Sequence, residues 1–218
     1  HDLKAPMTGI SGYADLMLMT PDDLDARQTK YLKRIRNTVR RMEMLVQDLA
    51  DISRIESGQF LMDERRVTVQ SVVEAVNDTV MPQMKERQHD YKVDLASDLP
   101  QMWTDYYRLV QVLTNLLSNA YKYTPDGGQV TLKAWQAADR IHYSISDNGI
   151  GLSPEAIEKL GTKFWRAEDD YTRSQQGTGL GFAITSSLVE QMGSAILIES
   201  EEGHGSTFSF SVAVAGDE

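Results

Sequence analysis

Apolar residues along the first 57 positions recur at heptad spacing. Leu3, Met7, Ile10, Ala14 and Met17 step by 4, 3, 4 and 3, which predicts a helix with one packed stripe. The stretch TPDDLD at 20–25 interrupts it. Pro21 breaks the helix, and Asp22 or Asp25 is available to cap the next one. The pattern resumes over Tyr31, Ile35, Thr38, Met42, Leu45, Leu49 and Ile52 and stops near Gly58. Two such helices predict an antiparallel hairpin whose long apolar stripe needs a partner, and a second copy would complete a dimeric four-helix bundle. The basic run KYLKRIRNTVRR falls mostly off the stripe and reads as a solvated flank.

From about Arg66 the texture changes. Val69, Val72, Val73, Val76 and Val80 have helical spacing, and YKVDLA alternates as a strand does. TDYYRLVQVLTNLLSNAYKY predicts an amphipathic helix over 105–123 that opens on Asp105 as N-cap. QVTLKAWQA and RIHYSISD predict two strands joined by a turn at Ala138–Asp139. A short helix follows Pro154, then a polar stretch at 166–177, then a helix from about Gly179. AILIES and STFSFSVAVA form a closing hairpin that turns at EEGHG. The order α-β-α-ββ-α-α-ββ predicts a mixed sheet with helices on one face, an α/β sandwich. The expected division is a helical unit at 1–58, a linker at 59–66 and an α/β unit at 67–218.

Charge supports that division. The chain carries 22 basic and 32 acidic side chains, a net −10. Residues 1–66 hold 11 of each, which leaves 11 basic and 21 acidic for 67–218. A neutral segment followed by an acidic one argues against nucleic acid or an anionic membrane as the main partner. With no cysteine there is no disulfide framework or thiolate metal site, and a reducing, cytoplasmic setting is expected. No apolar run approaches the roughly 18 residues of a membrane span. The chain begins on His1 rather than methionine, so it is expected to be a fragment whose first helix lacks its upstream turns.

Three groups of residues suggest chemistry. On the 105–123 helix, Leu109, Leu113, Leu116 and Ala120 make a buried stripe, while Asn115, Asn119 and Lys122 make a second stripe on another face. Asparagine is a mediocre helix former, so the pair is either two solvated amides or a hard-cation site with a lysine beside it for phosphate oxygens. In SDNGIGL at 146–152, Asp147 ends a strand ahead of Gly149 and Gly151, where backbone can approach a flat ligand and a carboxylate can accept from an exocyclic amine. In GTGLGF at 177–182, Gly177, Gly179 and Gly181 run into a helix start suited to phosphate. His89, His142 and His204 read as structural or solvent-exposed, and the ten methionines as core and seam filler.

Taken in order, HDLKAP, NLLSNAYKYT, DNGIG, KFWRAED, GTGLGFAI and GHGSTFSF resemble the successive boxes of the catalytic core of bacterial two-component sensor histidine kinases. The resemblance covers essentially the whole chain. It implies that His1 is the phospho-accepting nucleophile of a dimerisation and phosphotransfer domain and that Asp2 orients its ring and accepts the Nδ1 proton. It implies ATP and Mg²⁺ as ligands, with Asn119 on the metal and Asn115 in support. Lys122 would meet phosphate, Tyr123 would lie near the nucleotide and Asp147 would read adenine. Gly149, Gly151, Gly177, Gly179, Leu180, Gly181 and Thr207 would line the nucleotide site. Arg166 would reach the γ-phosphate, and about Ala167 to Gln176 would form a lid. The implied partners are a second copy of the chain and the receiver domain of a response regulator.

The alternatives are a hydrolytic ATPase of the gyrase and heat-shock chaperone type, and a nucleotide-binding scaffold that does not phosphorylate itself. The first needs a glutamate base where this chain has Asn115, and the second predicts damaged boxes. One departure stands out. Related kinases carry Thr or Asn four residues after the histidine, whereas this chain has Ala5, and weak phosphatase activity is expected.

Overall fold

The computed structural model describes residues 4–20, 24–58, 60–166 and 178–216. The chain divides into two compact units, His1–Phe60 and Leu61–Glu218.

The first unit is a hairpin of α1 (Lys4–Leu18) and α2 (Ala26–Glu56). Asp25 caps α2 through a reciprocal box: Gln28 N–H donates to its carboxylate at 2.7 Å, and the Gln28 amide oxygen accepts from Asp25 N–H at 2.9 Å. Asp22, the other candidate cap, lies outside the described residues. Met7 and Ala14 on α1 are buried, as are Leu32, Val39 and Ile52 on α2. Ile10, Met17, Tyr31, Ile35, Met42 and Leu49 are exposed instead. The heptad pattern therefore splits. On α1 half of the expected stripe packs, while on α2 Leu32 and Val39, each one position beyond it, are buried and most of the stripe itself is left open, because periodicity locates an apolar face without saying which of its flanks meets the neighbouring helix.

The second unit is built on a five-stranded sheet in the order β2-β4-β5-β7-β6. Its strands are β2 (Asp90–Leu95), β4 (Gln129–Ala137), β5 (Arg140–Asp147), β6 (Leu197–Glu201) and β7 (Gly205–Ala213). Only the β2–β4 pair is parallel. The helices are α3 (Val69–Glu86), α4 (Tyr106–Tyr123), α5 (Pro154–Lys159) and, after residue 177, α6 (Gly181–Gln191). Val72, Val76 and Val80 of α3, Leu109, Leu113 and Leu116 of α4 and Ile184 and Leu188 of α6 are buried, as are Leu132, Ile141, Tyr143 and Ile145 of the sheet. These are the stripes that the spacing predicts.

Two short strands, β1 (Arg65–Val67) and β3 (Met102–Thr104), escape sequence reading because three residues carry no period. They pair antiparallel, so Arg65 and Arg66, expected in the linker, already belong to a sheet. Met102 also bridges Val214, Ala215 N–H donates to the Gln101 carbonyl at 2.8 Å, and the Arg66 guanidinium donates to the Gly216 carbonyl. Asp105 caps α4 with bonds from Tyr107 and Arg108 N–H, and its second oxygen accepts Asp63 N–H at 3.0 Å. β2 is an edge strand with no buried residue, only Tyr91 and Leu95 being half-buried, which is why its alternation is only half expressed in burial.

Candidate nucleotide site

The buried stripe of α4 faces the core and leaves Asn115, Asn119 and Lys122 half-buried along another side. The Asn115 amide donates to Thr185 Oγ1 at 3.2 Å, and Thr185 in turn donates to the Gly181 carbonyl at 2.7 Å. This chain of bonds ties α4 to the first turn of α6. Burial, and then the charge of Arg166, hold the Lys122 ammonium below the usual lysine range. The two cations are thus near enough to repel one another.

Asp147 closes β5. Burial pushes its carboxyl up to about 6, against the opposing effect of N–H donors from Gly149 and Ser206. The Gly149 bond is 2.9 Å long. A Cβ at Gly149 would collide with the Tyr123 carbonyl, so this turn passes close against the end of α4. Ile150 N–H then donates to that same Tyr123 carbonyl at 3.1 Å. Gly151 follows, and Leu152 N–H donates to Ser200 Oγ at 2.8 Å. One strand over, Thr207 Oγ1 lies 2.9 Å from Ser146 Oγ.

Before α6, Gly179 adopts φ +74, and a Cβ there would press on the Phe164 backbone; its carbonyl accepts Phe164 N–H at 3.0 Å. Leu180 is fully buried and its N–H donates to Thr178 Oγ1 at 3.2 Å. Gly181 opens the helix, with open space where a Cβ would stand. Arg166, half-buried, precedes the segment 167–177. His1, Asp2, Gly177 and the expected lid lie outside the described residues.

The structure therefore links Tyr123 with Asp147, Gly149 and Ile150, Asn115 with Gly181, Lys122 with Arg166, and Ser146 with Thr207. Among the described residues no cluster of three or more His, Asp or Glu side chains forms a metal cage.

Residues 104–216, more than half of the chain, match the family model for histidine kinase-, DNA gyrase B- and HSP90-like ATPases, and residues 1–58 match the His Kinase A (phospho-acceptor) domain. This chain is a sensor histidine kinase catalytic core. The kinase core is 34% identical over 99% of its length to the sensory/regulatory protein RpfC of Xanthomonas campestris pv. campestris, of which it covers 30%. It is 29% identical over 99% of its length to the phosphate regulon sensor protein PhoR of Pseudomonas aeruginosa, covering 48% of it. The crystal structure of full-length ShkA in complex with AMPPNP matches 99% of the kinase core at TM-score 0.83 and 28% identity, over 45% of that chain. The core thus spans less than half the length of these relatives.

Sequence reasoning missed several residues that hold the kinase core's site together. Thr185 reads as one polar position in a helix, Ser200 as one of many serines, and Arg87 as a surface charge. His89, expected to be structural or exposed, takes the structural place and is buried, but its partners are invisible in the sequence.

Proposed function

We propose that this kinase core uses ATP to phosphorylate His1 and then passes the phosphoryl group to an aspartate of a response regulator. One observation carries the nucleotide half of this reading. The last turn of α4 joins two different recognition chemistries, a pair of cations at Lys122 and Arg166 and, through the Tyr123 carbonyl and Ile150, the strand-end carboxylate of Asp147. A nucleotide presents both matching parts, anionic phosphates and a base with an exocyclic amine. ShkA, solved with the ATP analogue AMPPNP, supports the same assignment.

In this reading Asp147 accepts from the adenine amine, while Gly149 and Gly151 let the backbone lie against the ring. Lys122 and Arg166 neutralise phosphate oxygens, and Gly177, Gly179, Leu180 and Gly181 bring backbone N–H groups toward them. Asn115 holds α4 and α6 in register, and Tyr123 and Thr207 border the base. Asn119 offers a hard amide oxygen, the kind of single protein ligand that Mg²⁺ accepts while keeping phosphate oxygens and waters. When bound, Mg²⁺ would be held by Asn119 and would offset the negative charge of the phosphates. Asp2 holds the His1 ring by its Nδ1 proton, leaving Nε2 free to attack the γ-phosphorus. An N–P bond forms as the P–O bond to ADP breaks. We assign a homodimer through the open stripe of the helical unit, residues 1–58, with 67–218 as the nucleotide-binding unit. The reaction belongs in a cytoplasmic setting.

The test is incubation with Mg²⁺ and γ-labelled ATP, with His1→Ala alongside. Acid-labile, base-stable label that vanishes in the variant is the expected result. Nucleotide binding with no labelled protein would overturn autophosphorylation and leave a nucleotide-gated scaffold.

A further inference from the structure

We propose that Arg87 and His89, on the turn between α3 and β2, form a clamp that positions the last turn of α4 for nucleotide binding. A helix ends with carbonyls that have no donor of their own. In α4 the last regular bond is Thr124 N–H to the Ala120 carbonyl, which leaves Tyr121, Lys122, Tyr123 and Thr124 to be satisfied from elsewhere. Arg87 Nη1 donates to the Tyr121 and Lys122 carbonyls at 2.8 and 3.2 Å. Ile150 takes the Tyr123 carbonyl. His89 Nε2 is shared between the Thr124 and Pro125 carbonyls at 3.3 and 3.1 Å. Carbonyls only accept, so the ring carries its proton on Nε2. Three of the four loose carbonyls are thus held by two residues from one turn.

The same turn grips the loop that follows. Arg87 Nε donates to Asp126 at 2.6 Å, the Arg87 carbonyl accepts Gly127 N–H at 2.9 Å, and Asp90 N–H donates to the Gly128 carbonyl at 2.9 Å. The guanidinium also lies 5.4 Å over the Tyr121 ring, and the side chain is only 18% exposed. A cation at a helix C-terminus is favoured by the dipole as well as by these bonds. The consequence for the site is direct. Lys122 is held directly, and Tyr123, fixed between the held carbonyls of Lys122 and Thr124, passes the placement on to Ile150 and the turn after Asp147. If the clamp opens, the phosphate side and the base side shift together. Neither Arg87 nor His89 meets the nucleotide in this arrangement, so they are positioning residues.

The inference rests on the nucleotide-binding reading above, and the test separates the two. Mg²⁺–ADP is titrated into the wild-type chain, Arg87→Ala and Arg87→Lys, with melting temperatures and Ile150 amide exchange recorded on each. Wild type that does not bind ADP overturns the nucleotide reading itself. With wild type binding, Arg87→Ala is expected to weaken affinity about tenfold and to speed Ile150 exchange, with the β5 amides unchanged. A lower melting temperature with unchanged affinity would make Arg87 merely structural and overturn the clamp. Lysine can meet Asp126 and one carbonyl but not the whole set, so Arg87→Lys is expected to fall between, at about threefold. Should Arg87→Ala not fold, the lysine variant decides alone, and wild-type affinity in it overturns the proposal.

Discussion

The amide of Asn115 on α4 donates to the hydroxyl of Thr185 on α6, and that hydroxyl donates onward to the Gly181 carbonyl. A fully buried threonine thereby couples the helix that carries Asn119 and Lys122 to the helix start that follows the glycine-rich segment. Thr185→Val keeps the shape and removes both bonds, so it is expected to destabilise the unit by about 1–3 kcal/mol, chiefly from the polar groups left without partners. Denaturant unfolding measures it, and an unchanged midpoint would show that the coupling carries no weight.

Asp147 has an acid-side consequence. Its folded carboxyl titrates at about 6, above the ordinary 3.8, so the folded state holds this proton in a window where the unfolded chain has released it. Its contribution to stability is therefore full below 3.8 and declines as pH rises through 6. Nucleotide affinity runs the other way, because the ionised carboxylate is a charge-assisted and therefore stronger acceptor for an amine than the neutral carboxyl. ADP binding to wild type is expected to weaken as pH falls through 6 relative to Asp147→Asn, with the phosphate titration common to both. Parallel pH profiles would remove Asp147 from base recognition.

Lys122 trades stability for binding. Burial and the Arg166 charge both disfavour its ammonium. Lys122→Met is expected to raise stability by about 0.5–1 kcal/mol and to weaken Mg²⁺–ADP binding at least roughly tenfold. Calorimetry of both quantities on one sample checks it, and a loss of stability would contradict the charge argument.

The open stripe of the helical unit makes a separate prediction. Ile35 is 43% and Met42 48% exposed within the single chain, so Ile35→Glu with Met42→Glu costs the isolated hairpin little. In a four-helix dimer the same pair would put four carboxylates into an apolar seam. Sedimentation is expected to show wild type as dimer and the double variant as monomer, and two identical profiles would refute the interface.

Much of this was legible in the sequence for a physical reason. Val69 to Val80 and Leu109 to Ala120 announce themselves because burying one helix face requires repetition, and repetition is visible in one dimension. Asp147 with Gly149 was legible because a carboxylate at a strand end beside glycines is chemically unusual. Arg87, His89 and Thr185 were not, since their partners are carbonyls and hydroxyls brought close only by the fold, 34 positions away for Arg87 and Tyr121 and 70 for Asn115 and Thr185. The splitting of the heptad stripe was illegible for another reason. Met7 and Ile10 are equally apolar, and only the neighbouring helix decides which of them is covered.

The seam at Arg66–Gly216 and Met102–Val214 has a further meaning. Between residues 65 and 216 the chain returns to where it set out, so this stretch of its path is close to a ring. A few residues joining 216 to 65 would close that ring, and new termini could be opened at the Ala138–Asp139 hairpin, leaving Asp147, Lys122 and Gly181 uncut. Residues 65–216 could then be carried as a cassette, entered and left at one corner.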